Sequence, residues 1–298
     1  MNPPTLAEKG GCLGIPLGKI AQRFEHDGFA FPYRIASEQE AHGWCRQVET
    51  LLATDERAGE YLRTYPHLIF PMIADITRDP RLLDAIEAII GPDIMLWGSS
   101  VILKAPRHAG HVSWHQDLTY WGLDGTAEVA AWLALTPATI ENGCMRFVPG
   151  SHRNGIVDHQ DTFAADNLLS RGQVLAADVD ESETVPVVLE PGEISLHHGH
   201  MFHASGSNGT DQWRIGLVLQ FIAPSMRQVV ASHDFAQLLR GEDRYGHFET
   251  LPRPHVDFDP KTMAAHESVS RAQAEAFFAG ADTRPEAGIY VNKPVPVR

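Results

Sequence analysis

The stretch SWHQDLTYWG, residues 113–122, contains two side chains that can bind a metal ion, His115 and Asp117, two positions apart. Residues two apart in a β-strand point to the same face, so these two would project together while Gln116 points to the other side. A solvated strand or an internal hydrogen bond also accounts for such a pair. A 2-His-1-carboxylate site for Fe(II) needs this pair and one distant histidine.

The segment LHHGHMFHASGSNGTDQWRIG offers that histidine at positions 197, 198, 200 and 203. The tract alone fits either a separate metal site or the neutral end of a core strand. His203 differs from its neighbours because Ser205, Asn208 and Arg214 follow it. Arg214 opens the β-prone run RIGLVLQF, and a hairpin through the Gly-rich turn would return it beside His203. Since a buried guanidinium needs an anion, an inward-pointing Arg214 predicts a carboxylate ligand.

The composition predicts a globular protein and disfavours two classes of partner. Of the 298 residues, 43% are hydrophobic and 21% are charged, as is ordinary for a folded domain. The net charge of −14 disfavours nucleic acid and anionic membranes as partners. The opening MNPPTLAEKGG has no basic segment followed by an apolar run, and no apolar run approaches membrane-spanning length, so we expect neither a secretory signal nor a membrane span. We therefore expect a small-molecule substrate as the partner, and the sequence does not indicate an oligomeric state.

Cysteine use predicts a reducing compartment. The three cysteines, Cys12, Cys45 and Cys144, are far apart and odd in number. They fit neither a disulfide framework nor a thiolate zinc site. We therefore expect a cytoplasmic protein.

Helical periodicity dominates the first third of the chain. A short amphipathic segment is predicted to end near Gly28, and the strand-like FAFPY follows it. Ser37 is suited to cap a helix whose apolar positions continue to Leu51. The segment DPRLLDAIEAIIGPD repeats the pattern and ends at Gly91 and Pro92.

From about Ile94 the pattern changes to short β-prone runs separated by turn residues. The runs are IMLWGSSVILKAP, EVAAWLALTPAT, CMRFVP, VPVVLEPG, EISLHH and WRIGLVLQFIAP. Many short strands after helices predict a β-sandwich or jelly roll braced by helices. A final helix is predicted at roughly 264–279, and the tail NKPVPVR is expected to be loose.

Four ordered motifs together resemble the phytanoyl-CoA dioxygenase family of Fe(II)/2-oxoglutarate oxygenases over roughly residues 20–225. They are HDGF, WHQD, AWLALTPATIENGCMRFVPGSH and HASGSN…WRIG. The resemblance implies a mainly β fold with flanking helices, in which a double-stranded β-helix (a cupin-like jelly roll) carries an N-terminal helical layer. We expect a single catalytic domain over 1–298, with helical support at about 17–93, a jelly-roll core at about 94–225 and a C-terminal extension at about 226–298.

The resemblance also implies roles for individual residues. Those implied at the iron are His115, Asp117 and His203. Those implied at the 2-oxoglutarate cosubstrate are Arg214, Ser205, Trp132 and Ser100, with the distal carboxylate on Arg214 and Ser205. A lysine that some members use for the cosubstrate has no clear counterpart in YLRTYPHLIFP, which makes His67 a further candidate for the pocket.

The implied cofactors are Fe(II), 2-oxoglutarate and O₂, and the implied activity is a dioxygenase reaction. O₂ would convert 2-oxoglutarate to succinate and CO₂ while an unactivated C–H bond of a small-molecule metabolite is hydroxylated. Related halogenases carry alanine at the carboxylate position, so Asp117 predicts hydroxylation rather than halogenation. Two alternatives stay open: a cupin-type metalloenzyme that does not use 2-oxoglutarate, and a catalytically silent module that binds metal or 2-oxoglutarate.

Overall fold

The computed structural model describes residues 14–281, so Cys12 and the tail NKPVPVR lie outside the described residues. The helices of this range are α1 (Ile20–Asp27), α2 (Glu38–Thr54), α3 (Ala58–Arg63), α4 (Pro71–Ile76), α5 (Pro80–Ile90), α6 (Leu118–Trp121) and α7 (Pro260–Phe277). The first five form the helical layer that the sequence predicts before the core strands. None of the helices within 14–281 has the length and apolar character needed to cross a membrane.

Local sequence signals account for the ends of these helices. Gly28 closes α1 in the left-handed conformation, at φ 84°, which glycine adopts without strain. Ser37 accepts a hydrogen bond from the Glu40 amide, and the Glu40 carboxylate accepts one from the Ser37 amide, which completes a capping box. Asp79 caps α5 with Pro80 at the first helical position. The predicted cap at Ser37 and the predicted end at Gly28 are confirmed.

The strands of the described range are short, except for two that cross the core. They are β1 (Phe29–Arg34), β2 (Ile94–Lys104), β3 (Val112–His115), β4 (Glu128–Ala134), β5 (Met145–Phe147), β6 (His159–Asp161), β7 (Gln173–Leu175), β8 (Val185–Pro186), β9 (Glu193–His197), β10 (His203–Ser205), β11 (Arg214–Ile222), β12 (Phe235–Arg240) and β13 (Glu249–Thr250).

These strands form two principal sheets. The large sheet has the order β1-β9-β4-β11-β2-β12-β13, and the smaller one has the order β3-β10-β5-β8. Strands β6 and β7 pair separately. Pairing is antiparallel except between β12 and β13. The mainly β jelly-roll fold with flanking helices is confirmed.

Alternate side chains along the strands of the large sheet point to opposite faces, and this decides which of them face the smaller sheet. On β4, residues 129, 131 and 133 join the apolar core beneath the helices, as do residues 215, 217, 219 and 221 on β11. The alternate side chains therefore face the smaller sheet. Trp132 on β4 packs there with Phe147 of β5 and Met201. The space between the two sheets thus receives the even-numbered side chains of β4 and β11.

Residues after 225 take part in the same architecture. Strand β12 pairs with β2 in the large sheet, although FAQLLR lacks the alternation that predicts a strand. Helix α7 is confirmed close to its predicted position. Its Val269 and Ala272 pack with Leu68 and Phe235 in a small apolar cluster. The C-terminal segment is therefore placed against the core strands, and α7 can reach a site between the sheets.

Candidate metal centre and cosubstrate pocket

Three side chains meet at one end of the smaller sheet with the composition of a metal site. His115, Asp117 and His203 each present a ligand atom, and these atoms lie within 4.8 Å of one another. The Asp117 Oδ1 atom lies 3.3 Å from His115 Nε2 and 3.7 Å from His203 Nε2. Two imidazoles and one carboxylate form the donor set of a facial triad, which suits Fe(II) and leaves coordination positions open.

Strand pairing positions the two imidazoles, and backbone carbonyls orient them. His115 ends β3 and lies opposite His203 at the start of β10. The His115 Nδ1 atom lies 2.9 Å from the Ser113 carbonyl oxygen, and the His203 Nδ1 atom lies 3.0 Å from the Met201 carbonyl oxygen. Because a carbonyl oxygen only accepts hydrogen bonds, each Nδ1 carries the proton. In a neutral imidazole each Nε2 therefore keeps the lone pair that a metal ion binds.

Asp117 reaches the site by a different route from the one predicted. Strand β3 ends at His115, and Asp117 has helical dihedral angles (φ −68°, ψ −49°) just before α6. The prediction that His115 and Asp117 share one face of a continuous strand is therefore wrong. Gln116 is fully buried, and its side chain bonds to Gly155, Val157 and His200. This anchored turn carries Asp117 back toward the imidazoles.

The electrostatics of the triad favour metal binding. Burial alone would raise the pKa of Asp117, but the nearby imidazoles of His203, His115 and His197 outweigh it and hold the pKa well below its usual value. Burial, with the neighbouring His115, lowers the pKa of His203 well below its usual value. A metal ion requires an ionised carboxylate and neutral imidazoles, and these shifts favour both states.

The rest of the histidine tract lies near the triad but outside it. His197 Nε2 is 3.7 Å from Asp117 Oδ2, on the side away from Oδ1. His198 Nδ1 lies 3.3 Å from Glu128 Oε1, and the Gly199 amide donates to the same oxygen at 2.7 Å. Among the described residues, the metal-competent group contains His203 and no other member of the tract.

Glu128 is a buried carboxyl outside the set of predicted site residues. It is fully buried at the start of β4 and holds the loop before His203 through Gly199. Its Oε2 atom has no hydrogen-bond partner. Burial raises its pKa well above the usual value, with Asp117 adding a smaller effect in the same direction. A charged residue opening the otherwise apolar run EVAAWLA was the available signal.

Arg214 lies at the inner end of a cavity that also contains the triad. It is 1% exposed, its Nη1 donates to the Gly143 carbonyl oxygen, and its Nε has no partner. Its Cζ lies 5.2 Å from the centre of the Trp132 ring. At Gly216 an added Cβ would come within 2.0 Å of that ring, so glycine there permits its position. A buried guanidinium without an acidic partner in the described chain suits an anionic ligand.

The predicted cosubstrate residues share this cavity. It is lined by Ser100, Trp132, Ser205 and Arg214 together with the triad. Arg214 and His203 lie in different sheets and face each other across the interior, so the expected hairpin between them is wrong. The alternation along β4 and β11 brings Trp132 and Arg214 to the inner side.

Other candidate residues lie outside the cavity. His67 is fully buried, and its Nδ1 lies 2.6 Å from the Ser99 hydroxyl, while Ser99 itself lines the cavity. Burial lowers the pKa of His67 to about 3, so it is neutral. Four aromatic residues near the two histidine motifs are absent from the described lining: Trp114, Tyr120, Trp121 and Phe202.

The opposite wall of the cavity comes largely from residues that the sequence did not indicate. Tyr65, Trp97, Gln273 and Phe277 line it. The Tyr65 hydroxyl donates to Gln273 Oε1, and Gln273 Nε2 donates to the Trp97 carbonyl oxygen at 3.3 Å and to Asp234 Oδ1 at 3.2 Å. Helix α7 thus lines part of the cavity and is held there by a buried polar network.

Comparison with known proteins shows the family. The phytanoyl-CoA dioxygenase (PhyH) family matches residues 24–216. The chain is 29% identical over 188 residues, 62% of each chain, to a probable alpha-ketoglutarate-dependent hypophosphite dioxygenase of Stutzerimonas stutzeri. It is 30% identical over 154 residues to phytanoyl-CoA dioxygenase domain-containing protein 1 of Danio rerio, covering 50% of this chain and 52% of that protein. The matched region thus spans about half to three-fifths of these relatives.

Solved structures agree with this assignment. The structure of apo ThoJ, a non-haem monooxygenase, is similar with a TM-score of 0.79 and 32% identity over 87% of this chain and 98% of that one. CytC3 with Fe(II) and alpha-ketoglutarate shares the fold, with a TM-score of 0.60 and 20% identity over 81% of this chain and 95% of that one.

Fold and site together define the class of non-haem iron oxygenases with a jelly-roll core. The chain belongs to the phytanoyl-CoA dioxygenase family of Fe(II)/2-oxoglutarate-dependent oxygenases. The predicted family is confirmed, and with it the expected cofactors of that family: Fe(II), 2-oxoglutarate and O₂.

Proposed function

We propose that the protein uses Fe(II), 2-oxoglutarate and O₂ to hydroxylate an unactivated C–H bond of a small-molecule metabolite, with release of succinate and CO₂. One observation carries the proposal: a 2-His-1-carboxylate group and a buried arginine without an acidic partner in the described chain face one cavity. The similarity to a non-haem monooxygenase over nearly its whole length supports an oxidative reaction.

The roles of the residues follow from their chemistry. His115, Asp117 and His203 would hold the iron, which together with 2-oxoglutarate supplies the activation of O₂. Arg214 would pair with the distal carboxylate of 2-oxoglutarate through its unpartnered Nε, and the Ser205 hydroxyl would donate to the same group. Trp132 would pack against the cosubstrate beside Arg214, and Ser100 would border it.

The substrate would occupy the part of the cavity that α7 lines. Tyr65, Trp97 and Phe277 offer aromatic surface there, and Gln273 adds an amide group. Mixed aromatic and amide walls suit a small metabolite with both apolar and polar groups. A cytoplasmic location remains part of the proposal, since Cys45 and Cys144 are both buried free thiols.

Asp117 favours hydroxylation over halogenation. Its carboxylate oxygen lies 3.3 Å and 3.7 Å from the two ligand nitrogens, so it would occupy a coordination position and bring its own negative charge. A halide would need that position to be free. Transfer of a hydroxyl group is therefore the outcome proposed for the substrate.

A metabolite screen tests the proposal. Fe(II)-loaded protein is incubated with O₂, 2-oxoglutarate and candidate metabolites, while consumption of 2-oxoglutarate is measured against a His203→Ala control. A substrate should raise consumption and appear with one added oxygen atom. Metal-dependent oxidation without succinate would favour the cupin-type enzyme. Binding of 2-oxoglutarate without any turnover would favour the silent module.

A further inference from the structure

Lys104 is a fully buried lysine at the end of β2 that has no role in the proposed reaction so far. Its Nζ atom lies 2.8 Å from the Ser205 hydroxyl oxygen, 3.4 Å from the Ser205 carbonyl oxygen and 3.5 Å from the Gly143 carbonyl oxygen, and it also donates to the Gly206 carbonyl oxygen. In the described chain no carboxylate lies within ion-pair distance of it. Its surroundings therefore accept hydrogen bonds but do not neutralise a charge.

The position of Ser205 links this lysine to the cosubstrate cavity. Ser205 lines the cavity, whereas Lys104 lies behind it. Lys104 is also the register partner of Arg214 across the β2–β11 pair. Both side chains donate to the Gly143 carbonyl oxygen. Two buried basic side chains thus lie side by side at the place proposed for the distal carboxylate.

The direction of the Lys104–Ser205 hydrogen bond depends on the charge of the lysine. An ammonium has three hydrogens and no lone pair, so Nζ must donate and the serine oxygen must accept. The serine hydrogen is then free to point into the cavity. A neutral amine has a lone pair that accepts the serine hydrogen, and the hydroxyl then has no hydrogen for a ligand.

We infer that Lys104 is a positioning residue that couples 2-oxoglutarate binding to the uptake of a proton. In its charged form Lys104 directs the Ser205 hydroxyl toward the distal carboxylate and adds a second buried positive charge beside Arg214. In its neutral form it withdraws that donor. The inference rests on the proposed function, because it places the distal carboxylate of 2-oxoglutarate at Arg214 and Ser205.

The charge balance around Lys104 favours the neutral form before the cosubstrate binds. Burial, followed by the neighbouring Arg214 charge, lowers the pKa of Lys104 to about 6, while the Cys144 thiol acts weakly in the opposite direction. Arg214 on β11 and Cys144 before β5 are the titratable groups that face it. A carboxylate arriving beside Arg214 stabilises the ammonium, so the pKa of Lys104 rises in the complex.

The sign of the pH dependence follows from this difference. The complex binds one more proton than the free protein between the two pKa values of Lys104. The affinity for 2-oxoglutarate is therefore fully present below the free-state pKa and is lost as the pH rises through the pKa of the complex. Within that window the Kd should rise by about tenfold per pH unit.

Calorimetry under anaerobic conditions measures this coupling on the Fe(II)-loaded protein. Titration with 2-oxoglutarate at pH 7.5, in two buffers of different ionisation enthalpy, should show uptake of about one proton per site. A series from pH 6.5 to 8.5 should show the rising Kd. Tight binding with a constant Kd and no proton uptake would overturn the inference about Lys104 while leaving the proposed function intact. Failure to bind 2-oxoglutarate at any pH would contradict the proposed function itself.

A variant tests whether the proton taken up on 2-oxoglutarate binding goes to Lys104. Lys104→Met keeps the approximate length of the side chain and removes its nitrogen, so proton uptake should disappear. The Kd at pH 6.5 should rise at least about tenfold, because the buried positive charge beside Arg214 and the hydrogen bond that orients Ser205 are both lost. The control is Lys261→Met, at an exposed position on α7, which should keep the wild-type proton uptake. Undiminished uptake in folded Lys104→Met would overturn the assignment. If Lys104→Met does not fold, the pH series on the wild-type protein decides.

Discussion

Replacing Arg214 by alanine is the perturbation that most sharply tests the cosubstrate pocket. The residue is 1% exposed and no acidic side chain of the described chain pairs with it. Its Nη1 is held by the Gly143 carbonyl oxygen, while Nε has no partner and is available to a ligand. This arrangement supports the proposal that its charge binds an anionic ligand rather than an acidic side chain of the described chain.

The expected loss can be estimated from this burial. Removing one partner of a buried, hydrogen-bonded ion pair costs about 3–5 kcal/mol. Since each 1.4 kcal/mol corresponds to a factor of ten, Arg214→Ala should raise the Kd for 2-oxoglutarate by about a hundredfold to a few thousandfold. Iron binding should persist, because the three proposed ligands belong to other elements.

The assay is anaerobic titration of the Fe(II)-loaded variant with 2-oxoglutarate, with iron content measured on the same sample. Arg240→Ala is the matched control, because Arg240 pairs with Asp84 and Glu87 on the surface and lies outside the cavity lining. Its Kd should equal that of the wild type. An unchanged Kd in Arg214→Ala would refute the placement of the distal carboxylate and favour a cupin-type enzyme that needs no 2-oxoglutarate.

Two further predictions concern the metal centre, and a third concerns the buried Glu128. His203→Ala should lose stoichiometric Fe(II) binding while His197→Ala and His198→Ala retain it, as measured by metal analysis after desalting; full iron content in His203→Ala would be inconsistent with its role. In chloride-rich buffer with labelled O₂, the wild-type product should carry a labelled hydroxyl group and no chlorine by mass spectrometry, because Asp117 is proposed to occupy the position that a halide needs. The raised pKa of buried Glu128 means that the folded state binds more protons, so stability should fall as the pH rises above the ordinary carboxyl pKa of about 4.3. Glu128→Gln should flatten the melting temperature between pH 5 and 8, and an unchanged slope would contradict the assigned cause.

Much of the site could be predicted because its signals are local. The family motifs implied that Trp132 and Arg214 lie at the cosubstrate, and the two-residue period of β4 and β11 places both side chains on the inner side. The Gly28 and Ser37 helix ends were predictable for the same reason, since a capping interaction spans only a few residues.

The rest depends on contacts between distant parts of the chain. The Tyr65–Gln273 hydrogen bond joins residues 208 positions apart, and no local pattern predicts it. Strand β12 could not be predicted, because its sequence FAQLLR has no alternation. Pairing with β2 holds it in the sheet. From the sequence, Lys104 is only a polar residue at the end of a strand, and its burial follows from the packing of the two sheets. Asp117 depends on the anchoring of Gln116 by residues 155 and 157, which belong to a separate loop.

Conversion of 2-oxoglutarate under labelled O₂ tests the central claim most directly. Fe(II)-loaded protein should form succinate that carries one labelled oxygen atom. This formation should require both Fe(II) and O₂, and it should be absent in His203→Ala. Recovery of intact 2-oxoglutarate from iron-replete wild-type protein, supplied with O₂ and a broad set of metabolites, would contradict the account.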